Sequence, residues 1–305
     1  MYHEQQMVMT SRSLLPVLFC LLLALPSGDA RAGTGAEESF SQRQIPLIFP
    51  GMQYQNTAEA QYQLPPDATP LQLRTADGVK IEAVFWPAAK TDGNPAAMPT
   101  IIYFYGNAQC INYALAQAAV LRRCGANVLL GDYPGFGLSA GKPSESGCYA
   151  EAEALYEWAS RQDGIDHGKL ISAGWSLGAA VAIDLAARHD MAGLITFSAY
   201  TSKRDMARRQ FPDVPPEAIE HPFLSRDKIR HITCPTLLVH GRQDTLVPFT
   251  MSTEMREAAA GKPLTYLPID DAAHNDLFLK GGKQIEAAVR QFLAERAAGP
   301  TSRPR

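Results

Sequence analysis

The stretch Leu170-Ile171-Ser172-Ala173-Gly174-Trp175-Ser176-Leu177-Gly178-Ala179-Ala180 carries a short apolar strand straight into an Ala-rich helix through Gly-x-Ser-x-Gly. A turn that sharp puts the serine in a strained backbone conformation, and Gly174 and Gly178 offer no side chains to collide where strand and helix meet. The hydroxyl of Ser176 is thereby held out at the strand tip, the pattern of a nucleophile elbow. Gly-x-Ser-x-Gly alone arises by chance in many proteins. The strand before it and the helix after it supply the context that gives it weight.

Working outward, apolar segments alternate with helix-like ones. Thr100 to Tyr105, Asn127 to Asp132, Leu170 to Trp175, Gly193 to Phe197, Thr236 to His240 and Leu264 to Ile269 read as short strands, apolar along their length as parallel strands covered on both faces must be. Helices are expected near 112–123, 146–161, 177–189, 251–260 and 283–297, the last from Ile285, Val289 and Phe292 at helical spacing. Leu71 to Arg74 and Val79 to Trp86, joined through Asp77-Gly78, read as an opening antiparallel hairpin. The expected fold class is therefore α/β over residues 71–297, a mostly parallel central sheet with helices on both faces. Residues 33–70 read as an irregular N-terminal arm without chemistry, residues 199–231 as a short cap insertion over the sheet, and residues 298–305 as a C-terminal tail.

The 305 residues carry a net charge of −3, with 46% hydrophobic and 19% charged residues, which is globular composition. Such a balance supplies no footprint for nucleic acid, so no nucleic-acid partner is expected. The glycine-rich loop Asp132 to Ser139 lacks both GxxxxGK[ST] and GxGxxG spacing, and reads as a packed turn rather than a phosphate cradle.

A serine hydroxyl is a poor nucleophile at neutral pH, so the elbow requires a carboxylate and a histidine base later in the chain, in that order. Gly241-Arg242-Gln243-Asp244 follows one strand and places Asp244 in its loop; Asp270-Asp271-Ala272-Ala273-His274 follows the next and places His274 before the last helix. Both loops open at the same sheet edge as Ser176, where open α/β sheets build their sites. Asp270, Asp271 and Asp276 compete for the carboxylate role but share the histidine's own loop, from which the far ring nitrogen is awkward to reach. His240 lies within a buried strand, and the remaining histidines sit at element ends or in the insertion, so all of these read as core or surface residues. The oxyanion of an acyl-transfer intermediate needs two backbone donors, for which the N–H groups of Leu177 and of Asn107, in the turn after Tyr105-Gly106, are the candidates.

Together these motifs resemble the α/β-hydrolases, in particular the branch of serine-aminopeptidase-like and protein-depalmitoylase-like members. The resemblance rests on the elbow, on Tyr105-Gly106-Asn107-Ala108, on Asp132 to Ser139 with Gly141-Lys142-Pro143-Ser144 after it, on Gly241 to Asp244, and on His274-Asn275-Asp276. It implies a serine hydrolase cleaving carboxylic esters or acyl thioesters on a Ser176–His274–Asp244 triad, with a small-molecule or acylated substrate and no metal or organic cofactor. A peptidase or amidase would use the same groups, and a non-catalytic binding protein could keep the scaffold. Relatives usually have a histidine where Tyr105 stands, which implies a changed pocket wall. In the cap, Tyr200, Phe211, Phe223 and Leu224 are candidates for an acyl pocket, while Arg208 and Arg209 either meet an anionic leaving group or are solvated on an exposed helix face.

Residues 1–32 have the layout of a secretory signal peptide: Arg12, the apolar run Leu14 to Leu25, Pro26-Ser27-Gly28, then Ala30-Arg31-Ala32. The run is shorter than the roughly 20 residues that span a bilayer, so the mature chain is expected to be secreted or periplasmic without a stable span. Cys20 is a poor lipidation site behind the bulky Phe19. Cys110, Cys124, Cys148 and Cys234 remain, an even set that permits two disulfides, with Cys110 to Cys148 the first pair to check, or else four buried thiols. Without a CxxC pair, a structural zinc site is not expected. Protein fractionated from a bacterial host should begin at Gly33 by intact mass, and a full-length cytoplasmic product would contradict the export reading.

Overall fold

In the computed structural model, residues 40–89, 98–210 and 215–297 are described, so the expected signal peptide, the tail 298–305 and Phe211 lie outside the described residues. The strands are β1 Thr69–Arg74, β2 Lys80–Trp86, β3 Thr100–Phe104, β4 Asn127–Gly131, β5 Leu170–Trp175, β6 Gly193–Phe197, β7 Thr236–Gly241 and β8 Leu264–Ile269. They form one sheet in the order β1-β2-β4-β3-β5-β6-β7-β8. β1 with β2 and β2 with β4 run antiparallel, and every later pairing is parallel. β3, β4 and β6 are buried at every residue, which is why their sequences are apolar runs rather than alternating ones.

The helices are α1 Phe40–Ile48, α2 Ile111–Arg123, α3 Glu145–Ala159, α4 Leu177–Arg188, α5 Lys203–Gln210, α6 Ser225–Ile229, α7 Phe249–Ala258, α8 Leu277–Lys280 and α9 Gly282–Ala297. α2 packs on α9, while α3, α4, α6 and α7 contact one another in series. Ser144 caps α3, its hydroxyl accepting the Gly147 N–H at 2.9 Å, which satisfies one of the donors a helix leaves open at its start. The chain leaves β3 for β4 on one side and then returns to place β5 on the other. That reversal opens a crevice at the carboxyl ends of β3 and β5, where an open α/β sheet binds its ligands. The architecture is an α/β-hydrolase fold with an inserted cap.

The cap consists of α5, a turn of 3-10 helix at Pro216–Ala218, and α6. Phe223 and Tyr200 are almost fully buried beneath it. Three of its cations are stitched to the frame, Arg209 and Arg226 to Glu254 of α7 and Lys228 to Asp184 of α4 at 2.7 Å, while Arg208 pairs within α5 with Asp205 at 3.5 Å. Arg208 and Arg209 therefore have carboxylate partners of their own.

The arm preceding β1 carries α1 and two turns of 3-10 helix at Pro50–Tyr54 and Ala58–Ala60. It is fastened along its length: Gln44 Nε2 donates to Ala218 O at 2.8 Å, the Asn56 N–H to Gly137 O at 2.8 Å, and Asn112 Nδ2 to Glu59 O at 2.7 Å. These anchors are single residues in a polar stretch without periodicity, so the sequence pattern does not announce them. All four described cysteines are free and buried. Burial pushes the thiols of Cys110, Cys124 and Cys234 up to about 11, so they carry no thiolate at neutral pH. The Cys110 to Cys148 pairing is not formed.

A Cβ on Gly174 would collide with the Gly178 carbonyl, and one on Gly178 with the Phe104 carbonyl of the neighbouring strand. Both obstacles are backbone and cannot rotate away. Gly178→Ala should cost about 4 kcal/mol, lowering Tm by roughly 10 °C at this chain length; a melting curve matching wild type would show that strand and helix do not need this contact.

Candidate active site

Ser176 sits between β5 and α4 at φ 55° and ψ −113°, a conformation L-residues rarely adopt. Its N–H continues the ladder past the end of β5 and donates to Phe197 O of β6 at 2.9 Å. With its main chain fixed by β6 and its glycines pressed on β3, the serine has little freedom except in its side chain. Leu177 opens α4, so its N–H has no partner within the helix and faces the crevice end.

The loops after β7 and β8 are zipped together. The Arg242 N–H donates to Ile269 O at 2.8 Å and the Gln243 N–H to Ala272 O at 2.9 Å, while a Cβ on Gly241 would collide with the Ala272 carbonyl. This brings His274 Nδ1 to 2.7 Å from Asp244 Oδ2, with both residues buried. Asp244 Oδ1 accepts the Val247 N–H at 2.8 Å. The competing carboxylates are engaged elsewhere: Asp270 with Arg242 at 2.7 Å, and Asp276 with the Ala273 N–H at 2.6 Å and with Lys280 at 2.9 Å. Asp271 does not hydrogen-bond His274 among the described residues. Ser176 itself makes no hydrogen bond to the ring there, and such bonds commonly tighten only when substrate is bound.

Two residues that the sequence reading passed over complete the geometry. His240, 1% exposed, places Nε2 at 2.9 Å from Val247 O and 3.4 Å from Asp244 Oδ2. A carbonyl only accepts, so Nε2 carries the hydrogen and turns it toward both oxygens. The clue lay in His240-Gly241-x-x-Asp244, a histidine one turn before the acid. Burial works against charge on Asp244, but the hydrogen bonds from His240 and His274 outweigh it and hold its carboxyl well below the ordinary value of 3.8. Trp175, the variable residue of the elbow, stacks on the His274 ring with centroids 5.2 Å apart and planes 29° apart. A Cβ on Gly106 would also lie 2.9 Å from the indole. The indole thus bridges the turn after β3 and the histidine.

In that turn the Gly106 N–H is given to Gln109 Oε1 at 3.2 Å. Asn107 is held at both ends, its Nδ2 donating to Ile48 O at 3.0 Å and its carbonyl accepting the Gly51 N–H at 2.8 Å. Tyr105 is not a pocket wall. It is fully buried, and its hydroxyl donates to Asp132 Oδ1 at 2.8 Å. Asp132 also accepts the N–H groups of Ile111 at 2.8 Å and Leu138 at 3.1 Å. Burial pushes its carboxyl up to about 6 against the pull of these donors. A tyrosine thus braces two loops through a buried carboxylate, a partnership across 27 residues that local sequence does not reveal.

Comparison with known proteins agrees with this fold. A family model described as the alpha/beta hydrolase fold matches residues 99–220. Alpha/beta hydrolase domain-containing protein 17B of Homo sapiens is 31% identical over 226 residues, covering 73% of this chain and 74% of that protein. The chain belongs to the α/β-hydrolase superfamily. An uncharacterized protein of Mycobacterium tuberculosis is 34% identical to this hydrolase-fold chain over 227 residues, covering 74% of it and 79% of the relative. Among solved structures, an esterase of Pyrococcus furiosus aligns with a TM-score of 0.63 at 19% identity over 77% of this chain and 95% of that one. Est1E from Butyrivibrio proteoclasticus, with ferulic acid bound, aligns with a TM-score of 0.60 at 23% identity over 75% and 100%. At such identities the likeness shows the fold.

Among the described residues, no helix is long and apolar enough to cross a membrane, and no group of three or more His, Cys, Asp or Glu is placed to hold a metal ion. Because the Asp244 carboxyl is depressed on folding, its ionisation stabilises the fold above the ordinary value of 3.8, and that contribution is lost as pH falls through the lower folded value. Asp244→Asn should therefore be less stable than wild type by a steady amount between about pH 5 and pH 8, with the gap narrowing below about pH 4. Chemical denaturation across that range measures it; a gap unchanged down to about pH 3 would show that the histidines do not hold Asp244 ionised.

Proposed function

We propose that this chain is an exported serine hydrolase that cleaves carboxylic esters or acyl thioesters through an acyl-enzyme. The observation that carries the reading is the buried 2.7 Å hydrogen bond from His274 Nδ1 to Asp244 beside a serine in an elbow conformation. With Nδ1–H given to the carboxylate, Nε2 is left as the base. Ser176 Oγ attacks the acyl carbonyl as Nε2 takes its proton, and the N–H groups of Asn107 and Leu177 hold the oxyanion. His274 then hands the proton to the departing alcohol or thiol, and a water activated by the same nitrogen releases the acid. Asp244 fixes the tautomer and stabilises the imidazolium that forms, an assignment helped by its depressed carboxyl.

The preference for an ester rests on the chemistry of the pocket and on the relatives. The indole of Trp175, packed on His274 and on the turn at Gly106, gives this end of the site an apolar border. Two structural neighbours are described as an esterase and as a protein holding ferulic acid.

A panel of p-nitrophenyl esters of increasing chain length, run beside aminoacyl anilides, tests both reaction type and pocket size. Turnover of esters is expected to exceed that of anilides, and Ser176→Ala or His274→Ala should lower kcat by roughly 10³-fold or more, with melting unchanged in Ser176→Ala and lowered in His274→Ala, which takes a partner from the buried Asp244. Retained turnover in either variant would overturn the triad, and a preference for anilides would overturn the ester reading.

A further inference from the structure

The arm before β1 lies outside residues 71–297, on which the sequence resemblance rests, yet it hydrogen-bonds the turn that carries Asn107. The contact is made at Asn107: its side-chain amide donates to Ile48 O at 3.0 Å and its main-chain carbonyl accepts the Gly51 N–H at 2.8 Å. The two bonds grip one residue from both sides, which fixes its side-chain torsions and its main-chain orientation together. Between them, Phe49 is fully buried, its ring 5.3 Å from that of His221, 6.1 Å from that of Phe223 in the cap, and 6.4 Å from that of Phe136. Gly51 fits where nothing larger would. A Cβ there would lie 2.7 Å from the Gln109 carbonyl and would collide with the Phe136 ring.

We propose that the Ile48–Gly51 segment of the arm is the positioning element of the oxyanion turn, holding the Asn107 N–H in the direction the oxyanion needs. This rests on the serine-hydrolase reading given above. An oxyanion donor works because it is aimed before the charge develops, and a displacement of about 1 Å can cost about 10²-fold in rate. Within the turn, the bond from the Gly106 N–H to Gln109 Oε1 closes around Asn107 without engaging it, whereas the hydrogen bonds of Asn107's own amide and carbonyl run to the arm. Asn107 takes its direction from the arm, and the arm is wedged by Phe49 against the cap and the loop carrying Phe136. The segment acts through Asn107 and does not touch substrate, so its loss should appear in kcat more than in KM.

Two variants test this on the full mature chain with a p-nitrophenyl ester. Gly51→Ala presses on the Gln109 carbonyl and should lower kcat about 10²-fold, with KM within about threefold and the pH profile of kcat/KM unmoved, since His274 and Asp244 are untouched. Asn107→Ala adds no atoms, keeps the main-chain N–H and removes only the tie to Ile48; it should lower kcat about 10-fold and decides the matter if Gly51→Ala does not fold. Full kcat in Asn107→Ala, or losses that appear in KM or in step with Tm, would overturn the arm's role. Ser176→Ala in the same assay separates the two readings: turnover surviving it overturns the serine hydrolase and the arm's role together. Turnover lost in Ser176→Ala but kept in Gly51→Ala and Asn107→Ala overturns the arm's role alone.

Discussion

A serine can stand at the tip of β5 because the backbone on either side of it has no side chains to make room for. Gly174 lies against the Gly178 carbonyl, and Gly178 against the Phe104 carbonyl at the end of β3. Helix α4 is therefore seated directly on the sheet at the point where strand order reverses. Ser176 takes a left-handed φ of 55° as the consequence, a local strain repaid by the ladder bond to Phe197 and by the burial of α4, most of whose residues are enclosed. The crevice, the donor at the start of α4 and the turn after β3 all take their positions from this contact.

The polar groups around the serine are buried and so depend on one another. Asp244 keeps its charge inside the protein because two histidine N–H groups and a backbone N–H are aimed at it. Asp132 gathers Tyr105, Ile111 and Leu138 to fix the loops that flank the turn at Asn107, though there burial outweighs the donors and raises its carboxyl. Each carboxylate converts a desolvation cost into a fixed loop geometry. In one case the product is an oriented imidazole; in the other it is the frame of the Asn107 turn.

The strands and the order of Ser176, Asp244 and His274 were legible because each follows from a local property: apolar runs, turn glycines, and loops at strand ends. What escaped reading depends on contacts between distant segments. His240 looks like any strand histidine until Val247 and Asp244 are folded back onto it, and Trp175 looks like a filler in the elbow until His274 arrives at its face. Tyr105 was expected to alter a pocket wall, yet its hydroxyl turns inward to a carboxylate 27 residues away. The arm gave the least signal of all, because one buried Phe49, one side-chain bond and one backbone bond to Asn107 leave no periodic trace in the sequence.

The account's central claim, that one serine is made reactive by this arrangement, is tested most directly by covalent capture. A fluorophosphonate probe incubated with the folded protein should add one phosphonyl group, and peptide mapping by mass spectrometry should locate it on Ser176, with capture lost in His274→Ala. A probe carried on another residue, or no adduct from an enzyme that turns over esters, would contradict it.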